Sequence, residues 1–330
     1  MESQQKRQIV VQKPVSAEMS NKYQLSKEQL NFYEDNGFLV IKQLIDFTSL
    51  YSYKQRFQQI AKGIVPKGIM TVMKEPSLVG KKINPEDYIN KIQELLYDDV
   101  FIQYAQHPQM YDVITQLIGD DVTAIHSMFI NKPPGTGRHP PHQDLYYFPY
   151  RPADKIIATW TAVDDVTNEN GCLYVLPGSH KKGVIYEHGN LKDNNKLYHG
   201  ISAEDRVAPL SKRIHLEMSP GDTVFFHPCL VHGSGPNVSK TYRKSIAFHF
   251  ANSSCECIDV KGTVQHQAAE EVEAEAKRRG FDGLNFIKFN SRELRKDQAE
   301  ALLCIGSREE LLLGEWISGH QKTLQQGYSG

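Results

Sequence analysis

From Val122 to Ala251 the chain breaks into short runs rich in β-branched and aromatic residues: VTAIHSMFIN, KIIATWTAV, CLYVLPGSH, RIHLEM, DTVFFHP and RKSIAFHFA. Each is bounded by Gly, Pro, Asn or Asp, the residues that turn a chain. Such runs fit strands. Many of them at these spacings argue for a two-sheet barrel or jelly roll, and against a doubly wound sheet with a helix after every strand.

The residues before this region read differently. In LSKEQLNFYEDNGFLVI, Ser26 and Gln29 have the spacing of a capping box, Leu30 and Tyr33 begin an apolar face, and Gly37 is placed to end the helix before a strand over Phe38–Ile41. A second helix is predicted over Phe47–Lys62. Pro66, Gly68, Pro76 and Gly80 punctuate residues 64–87, which predicts a loop-rich connection. The stretch DYINKIQELLYDDVFIQYAQHPQMYDVITQLIG then shows helical spacing, divided at Pro108.

These readings divide the 330 residues into a flexible polar leader (1–22), one domain (23–262) and a helical, charged carboxyl-terminal extension (263–330). Within the domain, residues 23–120 are expected to be helical and 121–262 to form the jelly-roll core. Leu302, Leu303 and Leu311 to Leu313 favour packing of the extension against another surface.

Lys and Arg total 38 against 39 Asp and Glu, so no net field recommends nucleic acid as a partner. No run of about 18 apolar residues offers a membrane span. Five cysteines without a CxxC pair, and no signal-peptide core, fit a reducing compartment better than a disulfide framework. The sequence leaves the oligomeric state unknown.

Chemistry concentrates in RHPPHQDLYYFPYRP. On a strand, alternate residues share a face about 6.6 Å apart, so His142 and Asp144 could both reach one ion. A loop histidine beside an aspartate that caps the next turn would explain the pair equally well. The second stretch, GDTVFFHPCLVHGSGPNVSKTYRKSIAFHF, shifts the balance: His232 follows about 90 residues later and Arg243 eleven positions beyond it. Two histidines and a carboxylate on one face leave the opposite coordination positions open, as in non-haem Fe(II) oxygenases. Arg243 offers a planar, two-pronged donor suited to the far carboxylate of 2-oxoglutarate. His227 competes with His232 as third ligand. Arg243 could also be an ordinary ion-pair residue, and His126, His139, His215 and His249 read as structural.

Taken together, FYEDNGFLVIK, INKPP, RHPPHQDLYYFPYRP, ATWTAVDDVTNENGCLYVLPGSHKKG, GDTVFFHPCLVHGSGPN and YRKSIAFHFA resemble members of the phytanoyl-CoA dioxygenase family, over about Leu25 to Gly262. The resemblance implies a mainly β fold with flanking α-helices and a double-stranded β-helix (jelly roll, cupin-like) core. It further implies Fe(II) as cofactor, 2-oxoglutarate as co-substrate and ascorbate as reductant. Matching the motifs puts the iron ligands at His142, Asp144 and His232, and the 2-oxoglutarate anchor at Arg243, assisted by Ser234. Lys91, Met128 and Trp160 match positions lining the co-substrate. From residue type alone Met128 and Trp160 would be core, and Lys91 a solvated helix residue.

The activity so implied is O2-dependent hydroxylation of an acyl-CoA at C2, phytanoyl-CoA first among them, with succinate and CO2 as co-products, in fatty-acid α-oxidation. The carboxylate at Asp144 favours hydroxylation over halogenation. Arg138, Arg151, Lys155, Lys181 and Lys182 are candidates for docking CoA phosphates, and YYFPY is either an apolar wall for the acyl chain or packing for the barrel edge. Peroxisome and cytoplasm both fit, because Arg7 and Lys13-Pro14 depart from the amino-terminal targeting pattern of such proteins and GYSG is no carboxyl-terminal address. The other readings are an oxygenase of a different small molecule, a non-catalytic cupin-like metal-binding protein, and a Zn hydrolase with the same ligands.

Overall fold

The structure, a computed structural model, describes residues 22–68, 70–74, 84–190 and 199–278. In chain order these form α1 (Lys27–Asn36), β1 (Phe38–Ile41), α2 (Phe47–Ala61), β2 (Thr71–Lys74), β3 (Ile89–Gln93), α3 (Ile102–Ala105), α4 (Pro108–Ile118), β4 (Val122–Lys132), β5 (His139–His142), β6 (Tyr150–Arg151) and β7 (Ile156–Ala162). They continue with β8 (Leu173–Val175), β9 (His188–Asn190), β10 (His199–Ile201), α5 (Glu204–Val207), β11 (Ile214–Leu216), β12 (Thr223–Phe226), β13 (His232–Ser234), β14 (Arg243–Asn252), β15 (Glu256–Cys257) and α6 (His266–Arg278). The expected leader falls outside the described residues apart from Lys22, as do residues 279–330 of the expected extension.

Local chemistry sets the first elements. The Ser26 hydroxyl accepts from the Gln29 amide while the Gln29 side chain accepts from the Ser26 amide, which closes the capping box on α1. The helix ends at Gly37, where φ is 78° and an added Cβ would lie 2.4 Å from His180 Nδ1. Both the backbone angle and the close approach therefore require glycine. Asp46 caps α2, whose Leu50, Tyr53, Phe57 and Ile60 recur at helical spacing and are all buried.

Seven strands pair in the order β1-β12-β7-β14-β4-β3-β2, and four more in the order β11-β8-β13-β5. Alternation of side chains gives the larger sheet two distinct faces. Phe225, Ile157, Ile246, Phe248, Phe250, Phe129 and Ile92 pack on one side in a cluster with α2 and α4. Val224, Phe226, Ala158, Trp160, Ala162 and Ala247 pack on the other with Leu173, Val175 and Leu216 of the smaller sheet. The result is three layers of helices, large sheet and small sheet, the arrangement of a jelly roll.

Phe57 joins the helices to the large sheet: it is fully buried and its ring stacks on Phe129 at a centroid distance of 4.7 Å. Phe57→Ala is expected to lower unfolding free energy by about 3–5 kcal/mol, read from denaturant midpoints.

The amino-terminal part departs from the helical expectation in two places. Residues 89–93 of the segment with helical spacing form β3, and residues 71–74 of the expected loop form β2. Ile89 and Ile92 sit three apart, as on a helix, but β3 pairs with both β4 and β2, and this pairing overrides the local pattern. β1 completes the opposite edge of the large sheet through β12.

Candidate metal centre

The site lies between the two sheets, and strand parity decides what points into it. On β14, Arg243, Ser245, Ala247 and His249 share the parity of the inner face, while Ile246, Phe248 and Phe250 face the helices. The same parity holds for Met128 and Lys132 on β4, for Trp160 on β7, and for Lys91 and Gln93 on β3, opposite the outward Ile92.

From the smaller sheet come the residues that could hold a metal. β13 runs antiparallel to β5 with His232 directly opposite His142. Asp144 is not on the strand as the spacing suggested: β5 ends at His142, and Asp144 opens a 3₁₀ turn, Asp144–Tyr147. Gln143 between them is still extended, at φ −125° and ψ 127°, so the two side chains turn to the same side. His142 Nε2 lies 3.4 Å and His232 Nε2 3.6 Å from Asp144 Oδ1. All three residues are buried, and one ligand atom from each lies within 4.8 Å of the others. They are the only such group among the described residues.

The backbone prepares these donors. His142 Nδ1 faces the Pro140 carbonyl at 2.9 Å, and His232 Nδ1 the Leu230 carbonyl at 3.0 Å. A carbonyl only accepts, so each Nδ1 carries the proton and each Nε2 presents its lone pair. Burial first, and His142 beside it, push the His232 pKa down to about 4, which keeps it neutral. Burial would raise the Asp144 pKa, but His232 and His249 outweigh it and hold the carboxyl well below its usual range. Two imidazoles and one carboxylate, all with ligand atoms converging, fit a divalent transition metal.

His227 does not compete. Its Nδ1 accepts from the Cys229 amide at 3.0 Å and its ring lies beside that of His180, at a centroid distance of 5.2 Å. The ring of His139 stacks on His142 with a centroid distance of 4.1 Å, so it packs against one of the three converging residues.

Arg243 is 3 % exposed, and its guanidinium lies 5.4 Å from the centre of the Trp160 ring. Trp160 pairs with Ala247, four residues further along β14, so the Arg243 head turns back along the inner face towards the histidines. Met128 sits on the other side of Ala247. Ser234, two residues beyond His232 on β13, accepts from Lys132 Nζ at 3.2 Å, and Lys132 is the β4 neighbour of Arg243. Lys91 is on a strand rather than a solvated helix, close enough for its charge to bear on His126 and His139. The structure thus gathers His142, Asp144 and His232 into one group and sets Arg243, Ser234, Trp160, Met128 and Lys91 around the same inner space.

Lys132 and Gln93 escaped the sequence reading, and His126 and His249, read there as structural, lie here as well. His249 Nε2 lies 2.8 Å from Asp144 Oδ2, and His126 Nδ1 3.3 Å from His249 Nδ1. Parity was the available signal, because His249 lies an even number of residues from Arg243 on one continuous strand.

The basic residues named as phosphate docks are largely engaged within the protein. Arg138 pairs with Glu204, Lys181 with Asp35 at 2.7 Å, and Arg151 donates to Gln265 at 2.7 Å. Lys182 Nζ reaches the Tyr186 hydroxyl at 3.3 Å. Phe148 and Tyr150 pack with Ile156 and Cys229, so this part of YYFPY is barrel-edge packing. No helix among the described residues is long and apolar enough to cross a membrane.

Residues 33–245 match the family model described as Phytanoyl-CoA dioxygenase (PhyH). A Caenorhabditis elegans protein named probable phytanoyl-CoA dioxygenase is 46% identical over 268 residues, 77% of this chain and 85% of the relative. A Mus musculus protein named phytanoyl-CoA dioxygenase, peroxisomal, is 43% identical over 274 residues, 80% of each chain. Among solved structures, the epimerase SnoN from nogalamycin biosynthesis, in complex with Fe3+, alpha ketoglutarate and nogalamycin RO, superposes with a TM-score of 0.55 at 16% identity. The match covers 82% of this chain and 93% of that one, a likeness of fold.

Proposed function

Because this chain belongs to the phytanoyl-CoA dioxygenase family, we propose that it is an Fe(II)- and 2-oxoglutarate-dependent hydroxylase acting at C2 of an acyl-CoA, with His142, Asp144 and His232 holding the iron. The single observation that carries this reading is the convergence of those three ligand atoms within 4.8 Å. Arg243 and Ser234 would hold the distal carboxylate of 2-oxoglutarate, and Trp160, Met128 and Lys91 would border the rest of it. Bound Fe(II) supplies the oxygen chemistry, in which O2 and 2-oxoglutarate are consumed, succinate and CO2 are released, and a substrate C–H becomes C–OH.

The chain's own part is orientation and exclusion of water. His142 and His232 are fixed by their Nδ1–H bonds to carbonyls, so their Nε2 atoms need no reorganisation on binding metal. Arg243 supplies two parallel donors in a buried setting, where a charge-assisted pair is stronger than in water. Aromatic and aliphatic residues of the inner face, including Trp160 and Phe226, keep the space around the ligands apolar.

The choice of an acyl-CoA, and phytanoyl-CoA first, is supported by the names of the relatives, and a peroxisomal location by the name of the mouse relative; a place in fatty-acid α-oxidation would follow from hydroxylation at C2. Ascorbate would keep the iron reduced. The test is incubation with Fe(II), ascorbate and 2-oxoglutarate, with and without phytanoyl-CoA or a straight-chain acyl-CoA, measuring succinate and 2-hydroxyacyl product together. The expected result is succinate formation stimulated by acyl-CoA with matching hydroxylated product. Succinate that no acyl-CoA stimulates would reject the substrate assignment.

A further inference from the structure

We propose that Gln93, His126 and His249 form a one-way hydrogen-bond relay that fixes which oxygen of Asp144 faces the metal, with His249 as the positioning residue. The proposal rests on His142, Asp144 and His232 being the metal site.

The direction of the relay follows from what each atom can do. An ionised carboxylate only accepts, so His249 Nε2, 2.8 Å from Asp144 Oδ2, must carry a proton and donate it. In its neutral form His249 has one N–H, and with that N–H on Nε2 its Nδ1 is bare. The atom facing it at 3.3 Å is His126 Nδ1, which must therefore be the donor. His126 Nε2 is then bare, and at 3.1 Å it meets the Gln93 side-chain nitrogen, a donor. Every link has one donor and one acceptor. Turning the Gln93 amide over would reverse each imidazole in turn and end with a lone pair of His249 against the carboxylate.

The whole relay is buried. Gln93, His126 and His249 are 3 %, 8 % and 4 % exposed, and His126 is held well below the ordinary histidine pKa, foremost by burial and then by His249 and Lys91. The strands supply the alignment: His249 of β14 pairs directly with His126 of β4, and Gln93 of β3 pairs with Met128 two residues along the same face.

The consequence falls on Asp144. Its Oδ2 is committed to His249, while Oδ1 is the oxygen near His142 Nε2 and His232 Nε2. A carboxylate held in this way offers the ion one oxygen rather than two. The position a second oxygen would occupy stays available for co-substrate.

Zn(II), a diamagnetic and redox-inert stand-in for Fe(II), allows a test without turnover. In the Zn(II)-loaded protein, ring 15N shifts should place the proton of His249 on Nε2 and that of His126 on Nδ1; the opposite tautomer at either residue overturns the relay. In calorimetric titration, His249→Leu should bind Zn(II) about 10–100-fold more weakly than the native protein. His249→Gln, whose amide N–H can stand where Nε2–H stood, should recover most of that loss. Equal affinities in the Leu and Gln variants would show that no donated hydrogen bond is at work. Should His249→Leu not melt as a folded protein, His126→Leu against His126→Asn makes the same comparison, since the asparagine amide replaces Nδ1–H: weakening in Leu alone supports the relay, and equal affinity overturns it. A native protein that takes up no Zn(II) rejects the metal-site reading and the relay with it, whereas native binding with unaffected variants rejects the relay alone.

Discussion

Asp144→Ala is expected to reduce acyl-CoA-dependent succinate formation below detection while the protein stays folded. The carboxylate is the one anionic donor in the group, beside two imidazoles, and it is buried where water can hardly replace it. Loss of a partner that merely orients a ligand weakens metal binding about 10–100-fold, so loss of the ligand itself should exceed about 100-fold. The substitution also strands the Nε2–H of His249 in a buried place with no acceptor, at a stability cost of about 1–3 kcal/mol. Three measurements read this: Zn(II) titration for affinity, thermal melting for fold, and succinate for turnover. A folded Asp144→Ala protein that kept turnover within about tenfold of native, a difference of only about 1.4 kcal/mol in barrier, would remove Asp144 from the metal site.

Arg243→Ala should act on a different quantity, the 2-oxoglutarate requirement. A buried guanidinium that meets a carboxylate with two parallel hydrogen bonds contributes about 1.5–3 kcal/mol for each. Losing both, at the lower bound of about 3 kcal/mol, raises the Michaelis constant for 2-oxoglutarate about 100-fold. Turnover at saturating co-substrate should fall much less, because Arg243 is not one of the three converging residues. Arg243→Lys should restore only part of the loss, since an ammonium supplies charge without the planar fork. The native enzyme should also prefer 2-oxoglutarate strongly over 2-oxobutyrate, which lacks the distal carboxylate, and the Ala variant should lose that preference. An unchanged Michaelis constant would leave the carboxylate anchor to Lys132 or Lys91.

Much of this architecture can be read from local pattern. The six runs between Val122 and Ala251 all contain strands, because β-branched and aromatic alternation reflects a face half in a core. Ser26, Gln29 and Gly37 mark the ends of α1 because capping depends only on neighbours in sequence. What escaped has a physical reason too. β3 presents Lys91 and Gln93 inwards and Ile92 outwards, the reverse of a strand with one wet face, because its inner side borders a polar site and its outer side meets helices. His126 and His249 read as structural and are buried, but the partners they meet, Asp144 among them, are set by pairing between distant strands and could not be read locally.

The sequence by itself determined the residue types, the strand and helix tendencies and the parity that puts Arg243 with His249, and Met128 with Lys132, on single faces. The tertiary structure decided register. His142 and His232 are about 90 residues apart, and nothing local places one opposite the other; β13 does so by pairing with β5. A shift of one residue in that pairing would turn His232 away from Asp144 and bring a glycine in its place, because side chains alternate with a period of two. His232 rather than His227 faces Asp144 for this reason: pairing and packing between distant segments fix register, and the spacing of residues along the chain does not.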